Sequence, residues 1–263
     1  MTSQTASDSP EADDRTEPAN CDLHGAFDQR VTMLGTHAYR SRCPECAEET
    51  RAAAAAKQAD QAARDREMRL DELRRDSQIP LRYQDSTLDA YRAANPSQKR
   101  VLAVCERYAA GWQTQWEEGR SLVLVGGPGT GKTHLACGIG LAVMASHLVN
   151  VRFSTATSML RDIRSTYQRS SERSEAVAVA DYTTCDLLIL DEIGVQLGSE
   201  YEKTVMFDVM NERYQAVLPT ILISNLSAQE LEEYLGQRVM DRMRESGVVI
   251  PFTWESYRGK GKA

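Results

Sequence analysis

No run of about 18 apolar residues occurs in this chain, which excludes a membrane-spanning helix. The N-terminus also lacks the apolar core of a secretory leader: Met1 to Asn20 is largely Ser, Thr, Asp, Glu and Pro. Both absences predict a cytoplasmic protein with no membrane partner. Cysteine is scarce, 6 in 263 residues, and in that compartment thiols stay reduced or bind metal rather than pair. Basic excess is missing too. With 31 Lys and Arg against 38 Asp and Glu, the net charge is −7, which argues against a surface coated for nonspecific DNA binding but allows a local basic patch. Hydrophobic (41%) and charged (26%) contents are ordinary for a globular protein, and the length suits one main domain with a smaller module.

What is present centres on Gly126-Gly127-Pro128-Gly129-Thr130-Gly131-Lys132-Thr133, which fits the phosphate-binding pattern G-x-x-x-x-G-K-[ST]. The apolar run Ser121 to Val125 before it reads as a buried strand, and His134 to His147 after it as a helix. Glycines without Cβ let backbone N–H groups turn around a phosphate, and the helix N-terminus adds partial positive charge. Lys132 is placed to reach the β- and γ-phosphates of ATP, and the Thr133 hydroxyl to take one Mg²⁺ position.

Downstream, Asp186-Leu187-Leu188-Ile189-Leu190-Asp191-Glu192 reads as a central strand with two carboxylates at its C-terminal end, where open α/β sheets bind ligands. Asp191 is assigned to Mg²⁺ and Glu192 to polarising the attacking water. A further strand, Pro219 to Ser224, ends in Asn225, which either orients that water or caps the following turn. Ser199 to Gln215 reads as a helix capped by Ser199, and Gly236 to Arg244 as another with Arg238 and Arg242 on one face. An arginine supplied by a neighbouring subunit is a known device in phosphoryl transfer. Gly247 to Thr253 is the last strand.

The N-terminal third differs in character. Residues 1–20 have little to bury and are expected to be disordered. Cys21-x2-His24 and Cys43-x2-Cys46 have the spacing of a structural zinc site in a module over residues 21–46, with His37 as the alternative to His24. Val31 to Leu34 and His37 to Tyr39 suggest a hairpin between the pairs, too small to fold without metal. Residues 47–78 form a polar helix, either a solvated linker or a partner-binding segment. Ser97 to Trp116 is a further helix with Val101, Leu102, Cys105 and Tyr108 toward the core. Within the main domain, Ala156 to Gln168 and the loop after it present Arg161, Arg164, Arg169 and Arg173 with Tyr167, a pattern suited to single-stranded nucleic acid or merely to a solvated face.

Taken together these residues resemble the AAA+ ATPases, specifically the DnaC-type replicative helicase loaders and their IstB-like relatives. The resemblance runs from about Ile79 to Arg258 and is most specific in Ser199 to Lys203, Leu235 to Met243 and Trp254 to Arg258. It implies an α/β fold with a three-layer αβα core over residues 79–258 and a basic tail at 259–263. Residues after Thr253 are too few for a helical lid domain. It also implies that Asn225 is the first sensor, that Arg242, with Arg238 one turn earlier, completes a neighbour's site, and that the stretch from Phe153 through Arg161 and Arg164 to Tyr167 contacts single-stranded DNA. The expected function is loading a hexameric replicative DNA helicase held through the N-terminus, with self-association and an ATPase weak in the monomer. An IstB-like transposition helper acting on duplex DNA, or an adaptor gated by nucleotide without useful hydrolysis, are the competing readings.

Overall fold

The computed structural model describes residues 14–168, 172–195 and 199–257, so Arg169, Arg258 and the 259–263 tail lie outside the described residues. The chain divides into two compact units at Glu67/Met68.

In the first unit, β1 (Asp14–Cys21), β2 (Gly25–Leu34) and β3 (His37–Arg40) form an antiparallel meander. Gly35 at φ 63° supplies the left-handed first position of the tight turn that pairs Leu34 with His37. The expected hairpin is present, but disorder through residue 20 is not: 14–20 form a strand. Its polar sequence carries no alternating pattern, and it is an edge strand, where Pro18 is tolerated. Among the described residues of this unit only Val31 and Cys43 are buried hydrophobics, too few to hold a sheet. The helix α1 (Pro44–Asp76) begins here and runs 33 residues.

The second unit is built on a five-stranded parallel sheet in the order β5-β6-β7-β4-β8. The strands are β4 (Ser121–Gly126), β5 (Val151–Thr155), β6 (Leu187–Ile193), β7 (Thr220–Ser224) and β8 (Gly247–Phe252). Around them lie α2 (Pro96–Ala110), α3 (Trp112–Glu117), α4 (Lys132–His147), α5 (Ala156–Ser165), α6 (Glu175–Thr183), α7 (Glu200–Gln215), α8 (Ala228–Leu235) and α9 (Gln237–Glu245). Strand alternation sorts the core in two. Leu122, Leu124, Ile189 and Ile221 meet α2 and α4, whereas Val123, Leu188, Leu190 and Leu222 meet α5, α7, α8 and α9. That is a three-layer αβα sandwich with both sheet faces covered, as parallel sheets require.

The unit begins earlier than expected. Leu73, Ser77 and Ile79 are buried, and the Ser77 carbonyl accepts the Phe153 N–H at 2.7 Å. The end of the supposed linker therefore belongs to the main core. A helix that is polar for most of its length hides this, because only its last turns carry the packing residues.

Candidate functional site

Strands β6, β7 and β4 are adjacent, so their C-terminal ends bring Asp191, Asn225 and the loop after Gly126 to one edge of the sheet. The strand order reverses around this edge, which is where α/β sheets bind ligands. Gly126 (φ 131°) passes so close to β8 that a Cβ would lie 2.3 Å from the Phe252 carbonyl oxygen. Lys132 is buried, and its Nζ donates to the Gly126 and Gly127 carbonyls at 2.5 and 2.8 Å and to Asn225 Oδ1 at 3.0 Å. Asn225 thus faces the loop. Capping of the following helix falls to Ser227, which forms a reciprocal capping box with Glu230.

The Thr133 hydroxyl donates to Asp191 Oδ2 at 2.7 Å, and Asp191 Oδ1 accepts the Glu192 N–H at 2.7 Å. Burial of Asp191 pushes its carboxyl above the usual range, opposed by these hydrogen bonds. A hydroxyl and a carboxylate in contact beside a phosphate loop are the hard oxygen donors that suit Mg²⁺. Glu192 is exposed and sits at φ 59°, where the β6–β7 register shifts between Leu190 and Ile193. These groups share a cavity of about 600 Å³ with Tyr83, Tyr91, Arg92, His134 and Tyr257.

Arg242 is not part of that edge. It lines a second cavity of about 440 Å³ with Ser121 and Thr220, the first residues of β4 and β7, at the other end of the sheet. Its guanidinium lies 5.5 Å from the Phe207 ring centroid and 5.2 Å from that of Tyr214, and it donates to Asn211 Oδ1. Positions 207, 211 and 214 share one face of α7, so the helix offers a slot of two rings and an amide. Arg238 is exposed on α9.

Of the proposed DNA contacts, Arg161, Arg164 and Tyr167 are exposed. Phe153 is not. It is 6% exposed in the core cluster, so its ring is not open to a base. Its strand lies at the edge of the sheet, where the Ser77 carbonyl takes the Phe153 N–H. Arg173 pairs with Asp162 and Asp181.

In the first unit, the ligand atoms of Cys21, His24, Cys43 and Cys46 lie within 4.8 Å of one another. The Cys21 and Cys46 sulfurs are 3.4 Å apart, and His24 Nδ1 is 3.3 to 3.8 Å from the sulfurs. Those separations suit the edges of a tetrahedron around Zn²⁺. Cys43 and Cys46 straddle the start of α1, and the Leu23 and His24 N–H groups pull the Cys21 thiol down to about 6. His24 Nε2 meets Glu49 Oε1 at 3.2 Å, the outer carboxylate that commonly orients a ligand histidine. His37 is exposed beside Thr36 and takes no part.

Residues 56–263 match the family model for IstB-like ATP-binding proteins. The chain belongs to that family. It is 33% identical over 177 residues to the replicative helicase loader DnaC of Buchnera aphidicola subsp. Acyrthosiphon pisum, spanning 67% of this chain and 70% of the relative. To the Escherichia coli K12 protein of that name it is 32% identical over 179 residues, 68% and 71% of the two chains. The crystal structure of the DnaC helicase loader superposes with TM-score 0.60 at 23% identity, over 65% of this chain and 99% of that one. DnaI superposes with TM-score 0.56 at 22% identity, over 68% and 94%. At those identities the superpositions establish the fold, which is the AAA+ fold expected. Among the described residues, no helix is long and apolar enough to cross a membrane.

Within this IstB-like domain, sequence reasoning missed Arg213. It is 1% exposed on α7. Its Nε donates to Thr220 Oγ1 at 2.9 Å, Nη1 to the Tyr182 and Cys185 carbonyls at 2.9 Å each, and Nη2 to the Pro219 carbonyl at 2.6 Å. Burial pushes its pKa down. Also missed were the aromatic contacts behind the phosphate loop from Tyr91 and Trp254. Arg213 and Tyr91 carry no periodic or motif signal, and Trp254, although it opens the Trp254 to Arg258 stretch, gives no sign in the sequence of its contact with Thr130.

Proposed function

We propose that this protein is an ATP-dependent loader of the hexameric replicative DNA helicase, acting in the bacterial cytoplasm. The observation that carries the reading is the convergence of Lys132, Thr133, Asp191 and Asn225 on one sheet edge, in a chain whose relatives are named helicase loaders.

In this reading the loop N–H groups hold the ATP phosphates, and Lys132 exchanges its carbonyl partners for phosphate oxygens. Thr133 and Asp191 hold Mg²⁺, which when bound neutralises charge on the β- and γ-phosphates. Glu192 polarises the attacking water and Asn225 orients it. Arg82 and Arg92 line this cavity, whereas Arg242 and Arg238 do not and, in this reading, serve a neighbouring subunit. Hydrolysis is then slow in the monomer and rises with assembly. Arg161, Arg164 and Tyr167 form a short track for single-stranded DNA, and the zinc unit with the exposed part of α1 binds the helicase.

The test is co-purification with a hexameric replicative helicase, with and without ATP, of the full chain and of residues 68–263. The cut belongs at Met68 because cutting at Ile79 would strip Leu73 and Ser77 from the core. Binding by the full chain alone is the expected result. Failure of both in every nucleotide state, with filament formation on duplex DNA, would replace this reading by the IstB-like transposition helper acting on duplex DNA.

Zinc supplies the folding energy of the first unit, on the order of 10 kcal/mol or more. Chelation, or Cys43→Ser, is expected to release about one zinc per chain, by the four-ligand rule, and to collapse the amide dispersion of residues 14–43. The melting of residues 68–263 stays as it was. A first unit that keeps its spectrum after metal removal would refute the assignment.

A further inference from the structure

A phosphate loop turns its N–H groups inward, so its carbonyls need partners on the outside. Two of them are gripped by segments distant in sequence. The Thr130 carbonyl accepts the Trp254 indole N–H at 3.0 Å and the Tyr91 hydroxyl at 3.2 Å. The Gly129 carbonyl accepts the Tyr257 backbone N–H at 2.8 Å.

Packing fixes the two side-chain donors. β8 runs in register with β4 so that Phe252 lies opposite Gly126, and the Trp254 ring packs on Phe252 at a centroid distance of 4.8 Å. The Tyr91 ring lies so near the loop that a Cβ on Gly131, itself at φ 97°, would come within 2.6 Å of it. On its other side Tyr91 meets the His134 ring at 6.0 Å.

The consequence follows from peptide geometry. In a planar trans peptide the carbonyl of one residue and the N–H of the next point in opposite directions. Holding the Gly129 and Thr130 carbonyls outward therefore aims the Thr130 and Gly131 N–H groups at the phosphate position. Glycines on either side would otherwise leave those planes free to rotate. We propose that Tyr91, Trp254 and the Tyr257 backbone form a clamp that sets the N–H groups of the phosphate loop, which makes the segment after β8 a positioning element of the nucleotide site. The proposal rests on the nucleotide-binding reading above.

The test uses the full chain with Trp254→Phe, Tyr91→Phe and both together. Each substitution removes one donor and keeps a ring. Affinities for Mg·ADP and for Mg·pyrophosphate are measured by calorimetry, alongside melting without ligand. Each single change is expected to weaken binding about 2- to 10-fold, the range for one neutral hydrogen bond. The double change should cost more than the product of the two, since either donor alone still holds the shared carbonyl. The loss should be equal for ADP and pyrophosphate, because the aimed groups face phosphate, and the Trp254 indole N–H resonance should move when either ligand is added.

A double variant that melts and binds like the parent overturns the clamp, as does a loss confined to ADP. Should the double variant fail to fold, Tyr91→Phe with pyrophosphate decides, since it deletes a single oxygen. Lys132→Ala separates the two ideas: if the parent binds neither ligand, the nucleotide reading fails and the clamp with it. If the parent binds and Lys132→Ala does not, a normal double variant sinks the clamp alone.

Discussion

Replacing Arg242 with Ala is expected to lower assembly-stimulated ATP hydrolysis by about 10³-fold or more, the range for an arginine completing a phosphoryl-transfer site. Nucleotide affinity of the monomer should be unaffected, because Arg242 stands at the other end of β4 and β7 from Lys132. Its slot of Phe207, Asn211 and Tyr214 holds the guanidinium without a carboxylate partner among the contacts described, leaving its charge available to a phosphate. Mixing gives the sharper measurement. Arg242→Ala and Glu192→Gln chains should each be nearly inactive alone and regain activity together, since a Glu192→Gln chain can lend its arginine to a neighbour with an intact Glu192. Hydrolysis by assembled Arg242→Ala at the parent rate would show that the arginine serves no neighbour.

Arg213→Ala should destabilise the second unit by roughly 3–5 kcal/mol, the cost of breaking a buried charged network. For a domain of this size that is a fall in melting temperature of about 2–4 °C per kcal/mol. The usual remedy of an apolar isostere does not apply. The partners are the Tyr182, Cys185 and Pro219 carbonyls, which no second substitution can remove, so Arg213→Met strips each of its shortest donor and leaves Pro219 and Tyr182 only the longer contacts from the Leu188 N–H and the Cys185 thiol. Arg213→Lys fails for another reason: a single ammonium cannot span acceptors on α6, the turn after it and the start of β7. Denaturant unfolding of residues 68–263 measures all three. A loss under about 1 kcal/mol for Arg213→Ala, the level of an ordinary surface change, would mean that these carbonyls find water.

The parts legible in the sequence are those whose chemistry is local. Gly126 to Thr133 and Leu187 to Glu192 carry their geometry in consecutive residues, so loop, strands and sheet-edge placement could be read directly. The convergence of Cys21, His24, Cys43 and Cys46 was legible because close pairs of ligand-type residues are the spacing that a metal cluster would need. The rest is long-range. Trp254 and Tyr91 meet at Thr130 only after β8 has paired with β4, and Arg213 finds its acceptors only once α6 and β7 are in place. Helices α6 and α8 went unassigned although Ser174 and the Ser227/Glu230 capping box marked their starts. Both are short, with few apolar positions to establish a period. Phe153 entered the DNA track only as the first residue of the stretch that the family resemblance implies, and an analogy of position does not show that its strand turns the ring into the core.

The left-handed backbone at Glu192 has a consequence for how such a chain changes over time. A side chain other than glycine in that conformation costs about 1 kcal/mol or more, and a glycine at 192 would relieve it. Drift toward greater stability therefore runs, at this position, toward loss of the proposed catalytic acid. If Glu192 polarises the attacking water as proposed, the carboxylate offsets a less stable strand end, and the first sign of a copy released from hydrolysis should be a small residue at 192 in an otherwise unaltered fold.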